Sequence, residues 1–227
     1  MAIWSTNAQK NKGLPDDEFY TPDILWDDIK KYIPKNKMIW EAFGNNPELD
    51  SYKWMKKHSD IEPICCKGDF FNEDNEGWAV DNIIITNPPF SIMKKIFIKL
   101  KEVGRPFILV MPPQKLYTAY FNDIWGDELE NICILNTHKR YDFYAFNNTK
   151  KDIKVPHQKS RVKNPDYKEG TKMNKTIPKM LTIKPGERFY KGGPPICYMC
   201  YKMPFMDENE KNKKNEKYPR TLWCLRS

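Results

Sequence analysis

The sequence predicts an α/β protein: a mostly parallel, doubly wound sheet with helices on both faces, carrying a basic C-terminal extension or insertion. Three observations predict it. Two short, unbroken apolar runs, Ile83-Ile84-Ile85 and residues 107–111 (Phe-Ile-Leu-Val-Met), read as strands covered on both faces. Each run stops on a proline pair, Pro88-Pro89 and Pro112-Pro113, where backbone donors are lost and φ is fixed. Between them Ile92, Met93, Ile96, Phe97, Leu100 and Val103 recur at three- and four-residue spacing, the stripe of an amphipathic helix with Ser91 as its N-cap. Strand, helix and strand form a βαβ unit, whose right-handed crossover sets the two strands side by side.

Composition narrows the class. A chain of 227 residues, 40% hydrophobic with seven tryptophans, can bury a sound core and is globular. Its formal charge of +8 points to an anionic partner, nucleic acid first. The six cysteines do not form a disulfide framework: Cys65 and Cys66 are adjacent, and Cys133, Cys197 and Cys200 lie in apolar runs. That pattern implies reduced thiols in an intracellular compartment, cytoplasm or nucleus, of the cell or of a host. Cys197-x-x-Cys200 has no second pair nearby, so no metal site is expected. With neither a bilayer-spanning apolar run nor a charged-then-apolar leader, the protein is expected to be soluble. Few alanines and many Lys, Asn and Ile match an AT-rich source such as a phage or large DNA virus.

Taken in order, residues 1–15 read as a flexible arm and 16–149 as the core domain. A helix is expected over 23–32, with Pro22 or Asp23 at its start, acidic residues in its first turn and Leu25, Ile29 and Tyr32 on its stripe. Residues 38–43 read as a strand ending on Glu41 and then Gly44, the acid-then-glycine exit with which doubly wound folds form a ligand cradle. A helix over 49–57 and a short strand over 61–66 follow, the latter leaving through Asp69 and Phe70. After the βαβ unit, 115–125 reads as a helix, 131–135 as an apolar strand and 140–146 as a further strand. Over 150–191 the character changes: 13 Lys or Arg stand against four acidic residues. This segment, broken by Pro156, Pro165, Pro178 and Pro185, reads as a polybasic loop. Its Tyr167, Phe189 and Tyr190 suit a nucleic-acid backbone and exposed bases. Residues 192–227 return to the core as C-terminal strands, at 196–203 and 221–225, with a charged loop over 207–217.

The chemistry concentrates on Asn87-Pro88-Pro89-Phe90, at the carboxyl end of a buried strand, where open α/β sheets place their ligands. Asn87 offers a side-chain carbonyl, and the proline-locked backbone offers a second acceptor beside it. Two converging acceptors suit an NH2 group whose lone pair must leave conjugation before it attacks an electrophile. Phe90 gives a flat face on which a planar base can stack.

Thr86-Asn87-Pro88-Pro89-Phe90-Ser91 resembles the catalytic motif of amino-group methyltransferases that use S-adenosylmethionine, above all the DNA adenine-N6 family in its short phage- or virus-like form. The resemblance spans residues 18–113 and implies a Rossmann-like class-I methyltransferase fold, with double-stranded DNA as partner. It implies that Asn87 and the Pro88 carbonyl hold the adenine amine, on a loop stiffened by Pro89, while Phe90 stacks on the flipped base. It also implies cofactor contacts: Tyr20, Thr21 and Pro22 at the methionine end, Glu41, Phe43 and Gly44 at the first strand's exit, and Asp69 and Phe70 at the adenosyl part. The family pattern acidic-x-Phe-x-Gly-x-Gly appears here as Glu41-Ala42-Phe43-Gly44-Asn45-Asn46-Pro47, with one glycine a place early. Relatives of the motif methylate adenine or guanine in RNA, or protein glutamine. The displaced glycine leaves one further alternative, a nucleic-acid-binding subunit that keeps the fold without catalysis.

Overall fold

A computed structural model describes residues 20–43, 49–65, 69–72, 76–137, 140–208 and 220–223. The expected arm over 1–15 and the turn Gly44-Asn45-Asn46 lie outside the described residues. The chain divides into two units: Tyr20–Tyr141 together with the segment from Gly193 onward, and Asp142–Gly192.

The larger unit is an α/β sheet. Its strands are β1 (Ile39–Glu41), β2 (Ile64–Cys65), β3 (Ile83–Thr86), β4 (Phe107–Met111) and β5 (Ile132–Asn136), joined by β10 (Cys197–Tyr201) and β11 (Arg220–Trp223). They lie in the order β11-β5-β10-β4-β3-β1-β2. Six run parallel, and β10 alone runs back between β4 and β5, pairing Tyr198 with Val110 on one side and Leu135 on the other.

Alternation along the strands sends side chains to both faces. Trp40, Ile84, Leu109, Ile134 and Met199 pack on one face against Met93, Ile96, Phe97 and Leu100 of α4 (Met93–Val103) and Phe121 and Trp125 of α5 (Ala119–Trp125). The other face carries α1 (Asp23–Asp27) and α2 (Asp50–His58). The Tyr198 hydroxyl donates to the Leu25 carbonyl at 2.5 Å, and the Trp54 indole donates to Asp27 at 2.7 Å. Cys197 and Cys200, three apart on β10, are both buried and not joined in a disulfide, on opposite faces of the strand. Among the described residues no helix is long and apolar enough to cross a membrane.

Several local expectations need correction. The helix expected over 23–32 breaks after Asp27 and resumes only as a 3-10 turn, Lys30–Tyr32; Asp27 and Asp28 put negative charge at a helix C-terminus, against its dipole. Ser91 does not cap α4. The Pro89 carbonyl first accepts the Ile92 amide at 3.4 Å, closing a 3-10 turn Phe90–Ile92, and α4 starts one residue beyond it. The stretch 115–125 likewise divides, into a 3-10 turn Pro113–Tyr117 and α5. Gly104, at φ 66°, closes α4 by donating to Leu100 at 3.0 Å, the left-handed cap that glycine adopts without a steric penalty.

The largest correction falls on 150–191, which is not a loop. In the smaller unit β7 (Ile153–Lys163) and β8 (Thr176–Ile183) form a long antiparallel hairpin, and β9 (Arg188–Gly192) pairs with β6 (Asp142–Phe146). The hairpin's apolar burial lies at its base, where Val155 and Ile183 pack with Ala145 and Phe189. Pro156 and Pro178 are accommodated where the register slips between Pro156 and Arg161, the kind of irregularity that admits proline in a sheet.

Trp40, fully buried at the centre of the larger unit, sets a tight packing limit. A Cβ on Gly77, in α3 (Glu76–Ala79), would stand 2.1 Å from the Trp40 ring. Gly77→Ala is therefore expected to cost about 1–3 kcal/mol through overpacking, seen as a lower urea midpoint at unchanged m-value.

Candidate active site

Strand order locates the crevice. From β1 the chain moves outward to β2, then returns to β3 on the other side of β1 and continues to β4. The connections thus diverge between β1 and β3. A ligand site is expected outside the carboxyl ends of those two strands.

Hydrogen bonds join the two strand ends. The Thr86 hydroxyl at the end of β3 donates to the Glu41 carboxyl at the end of β1, at 2.5 Å, and the Phe43 amide donates to the Thr86 hydroxyl at 3.2 Å. Glu41 is 4% exposed. Burial pushes its pKa up to about 7, even though hydrogen bonds from Thr86, the Phe43 backbone and Ser51 pull it down. Desolvation of the charged form outweighs those donors. The site therefore contains a buried carboxyl whose pKa lies near neutrality.

Asn87 follows directly. Its Oδ1 is buried and has no hydrogen-bond partner, a state that costs about 1–3 kcal/mol for a neutral polar group and is uncommon in folded chains. Asn82 Oδ1 shares that state, but the Asn82 amide nitrogen donates to the Gly77 and Val80 carbonyls at 2.6 and 3.2 Å, so its side chain ties down the entry to β3. Pro88 is buried, and Pro89 and Phe90 are half-buried. Phe90 packs against the edge of the core on its 3-10 turn.

The adenosyl-side candidates sit beyond the end of β2, on the same carboxyl edge. Asp69 is exposed; its Oδ1 accepts the Phe71 amide at 3.0 Å and its carbonyl accepts Asn72 at 3.0 Å, a compact turn. Phe70 is 3% exposed, within an aromatic cluster with Phe43 (4.7 Å), Trp78 (5.0 Å) and Trp40 (5.7 Å). Its ring supports the half-buried Phe43 and offers little face of its own. Tyr20 is half-buried, and Thr21 and Pro22 are buried at the head of α1. The Tyr198 bond fixes that helix where Tyr198 pairs with Val110, near the carboxyl end of β4.

Three residues here escaped sequence reasoning. Thr86 was read only as part of a motif, and its link to Glu41 depends on strands 45 residues apart meeting. Ser51 carries no local signal. Tyr117 had one: it follows a second strand that stops on two prolines. It is 88% exposed on the turn after β4, the neighbour of β3, and the Lys115 carbonyl anchors that turn through Thr118 Oγ1 at 2.7 Å.

Comparisons with protein-family models, with curated proteins and with solved structures gave no match.

Proposed function

We propose that the larger unit is a Rossmann-like methyltransferase that transfers a methyl group from S-adenosylmethionine to the N6 amine of adenine in double-stranded DNA. The observation that carries this is the buried, unpartnered Asn87 Oδ1 at the topological switch point. An acceptor kept without an internal partner is matched by an amine hydrogen brought by a substrate. The Pro88 carbonyl supplies a second acceptor on the same stiff loop, and the two together draw the amine's lone pair out of the ring. Phe90 stacks on the flipped base and Tyr117, on the adjacent loop, is available as a further aromatic.

The residues present fit the cofactor. Glu41, neutral or ionised at little cost around pH 7, accepts the ammonium of an amino-acid moiety, and Asp69 presents a carboxyl on the same edge. When bound, S-adenosylmethionine supplies an electrophilic methyl carbon on a good leaving group, so the protein's task is alignment. The sheet order, parallel with a single reversed strand, suits this class of fold. The basic unit adds contacts to the phosphate backbone.

The test is calorimetric titration of S-adenosylmethionine into the full chain, then methyl transfer to matched DNA, RNA and glutamine-peptide substrates. Micromolar binding and label on adenine in duplex DNA support the proposal. Label only on RNA or glutamine replaces the substrate. No cofactor binding, with or without duplex, overturns the enzymatic reading in favour of a silent nucleic-acid-binding subunit.

A further inference from the structure

In the smaller unit, β6 and β9 pair Tyr144 with Tyr190, Ala145 with Phe189 and Phe146 with Arg188. Alternation therefore divides this two-stranded sheet cleanly. Ala145 and Phe189 face the unit's core with Val155 and Ile183, while Tyr144, Phe146, Arg188 and Tyr190 share the opposite face. There the Arg188 guanidinium carbon lies 3.5 Å from the centre of the Tyr144 ring and 5.0 Å from that of Tyr190. The two tyrosine rings are 6.3 Å apart, and Tyr144 meets Phe146 edge-on at 5.8 Å. Tyr144 is buried beneath this stack and Tyr190 is 50% exposed.

Such an arrangement holds a guanidinium plane in place before any ligand arrives. A stacked arginine loses less freedom when its guanidinium meets a phosphate oxygen. The exposed Tyr190 ring beside it is a platform for a planar, π-faced ligand. Charge names the ligand's sign. Residues 142–192 hold 13 Lys or Arg and five Asp or Glu, a surplus of eight that equals the formal charge of the whole chain. Lysines alone would attract any polyanion. An arginine–tyrosine stack adds selection for a base whose face is open, and the bases of an intact duplex are already stacked on each other.

We propose that the Arg188–Tyr190 face of β6 and β9 binds an unstacked nucleobase and its phosphate in single-stranded DNA. Tyr190 stacks on the base and Arg188 takes the phosphate. The proposal rests on the nucleic-acid reading of this unit and is independent of the methyl-transfer chemistry of the other.

The experiment measures fluorescence anisotropy of the full-length protein with a labelled oligothymidine about 12 nucleotides long, with a duplex of equal length and with the matching RNA strand. Tyr190→Ala is expected to weaken single-strand DNA binding roughly 5- to 100-fold, the range for losing one stacked base, while duplex affinity changes less than about twofold. Tyr190→Phe should bind as wild type does. Arg188→Lys, which keeps the charge, should lose about tenfold on the single strand. Lys154→Gln, an exposed charge on the hairpin, should weaken single strand and duplex in parallel and reduce the salt dependence. Circular dichroism checks that each variant is folded. The proposal is overturned if Tyr190→Ala binds the single strand unchanged, or loses single strand and duplex equally. Tighter binding of the RNA strand, lost in Tyr190→Ala, overturns DNA as the ligand. Single-strand binding that depends on Tyr190 in a protein without methyl transfer supports this site while removing the proposed enzyme.

Discussion

Asn87→Ala loses methyl transfer by at least about a hundredfold, the scale on which a single prepositioned polar group acts in a transition state, and it does so without loss of stability. The two halves of this prediction follow from one atom. Asn87 Oδ1 makes no hydrogen bond within the chain, so its removal breaks none. Deleting a buried unsatisfied acceptor leaves folding unchanged or improves it by up to about 1 kcal/mol. Single-turnover transfer and urea unfolding on the same preparation check both halves. Asn82→Ala provides the contrast. Its amide nitrogen holds the Gly77 and Val80 carbonyls, so that substitution should lower stability and affect activity only through it. Near-normal turnover by folded Asn87→Ala would remove the proposed mechanism.

Glu41→Gln removes the fall in core stability that Glu41 causes as pH rises from about 4.5 to about 7. With a carboxyl pKa raised from 4.5 to about 7 by burial, the native state holds its proton more tightly than the unfolded chain. The stability Glu41 contributes is full below about pH 4.5, declines as pH rises and is gone above about pH 7. A shift of this size corresponds to roughly 3 kcal/mol. Glutamine keeps an oxygen for the Thr86 hydroxyl and does not ionise. The variant should match wild type at pH 4.5 and exceed it at pH 8, by an amount approaching that figure. Taking the difference between the two proteins cancels the exposed carboxyls that titrate in both, such as Glu62 and Asp127, whose pKa values their lysine partners lower. Binding of a cationic cofactor should show the opposite trend: wild-type affinity rises through pH 7 as the carboxylate forms, and Glu41→Gln binds about 10- to 100-fold more weakly at pH 8, the worth of one charged hydrogen bond. A variant equal to wild type in stability at pH 8 would show that Glu41 is ionised and satisfied in the free protein.

The parts of this molecule that were readable in the sequence are those encoded within a few residues. Residues 83–85, Phe107–Met111 and Cys197–Tyr201 are uninterrupted apolar runs because both faces of their sheet are covered. Asn87 stood out because two prolines must end a strand. What could not be read depends on meetings between distant segments. Thr86 reaches Glu41 only because Ile39 pairs with Ile83 and Trp40 with Ile84, and no local pattern encodes that register. Phe70 had the right neighbours in sequence for a ligand contact, yet Trp40, Phe43 and Trp78 surround it. The hairpin of β7 and β8 was hidden because nearly all of its residues are solvated, so neither strand shows the period-two alternation that a half-buried strand displays. The break after Asp27 was legible in principle, from two aspartates at the end of a short helix.

The reversed strand β10 also sets a schedule. Strands β4 and β5 follow one another in the chain, but they are held together by β10, which emerges only after the whole of residues 142–192. During synthesis the smaller unit, whose strand pairs are internal, can close while the sheet of the larger unit is still in two pieces. Until Cys197–Tyr201 arrives, the facing edges of β4 and β5, buried and apolar except at Asn136, have no strand between them. Closure through such distant pairings is slow, and an unpaired apolar edge invites pairing with another chain. A ribosome stalled in the basic segment would therefore hold a product prone to aggregate, and the sheet becomes continuous from β4 to β5 only when β10 pairs with both.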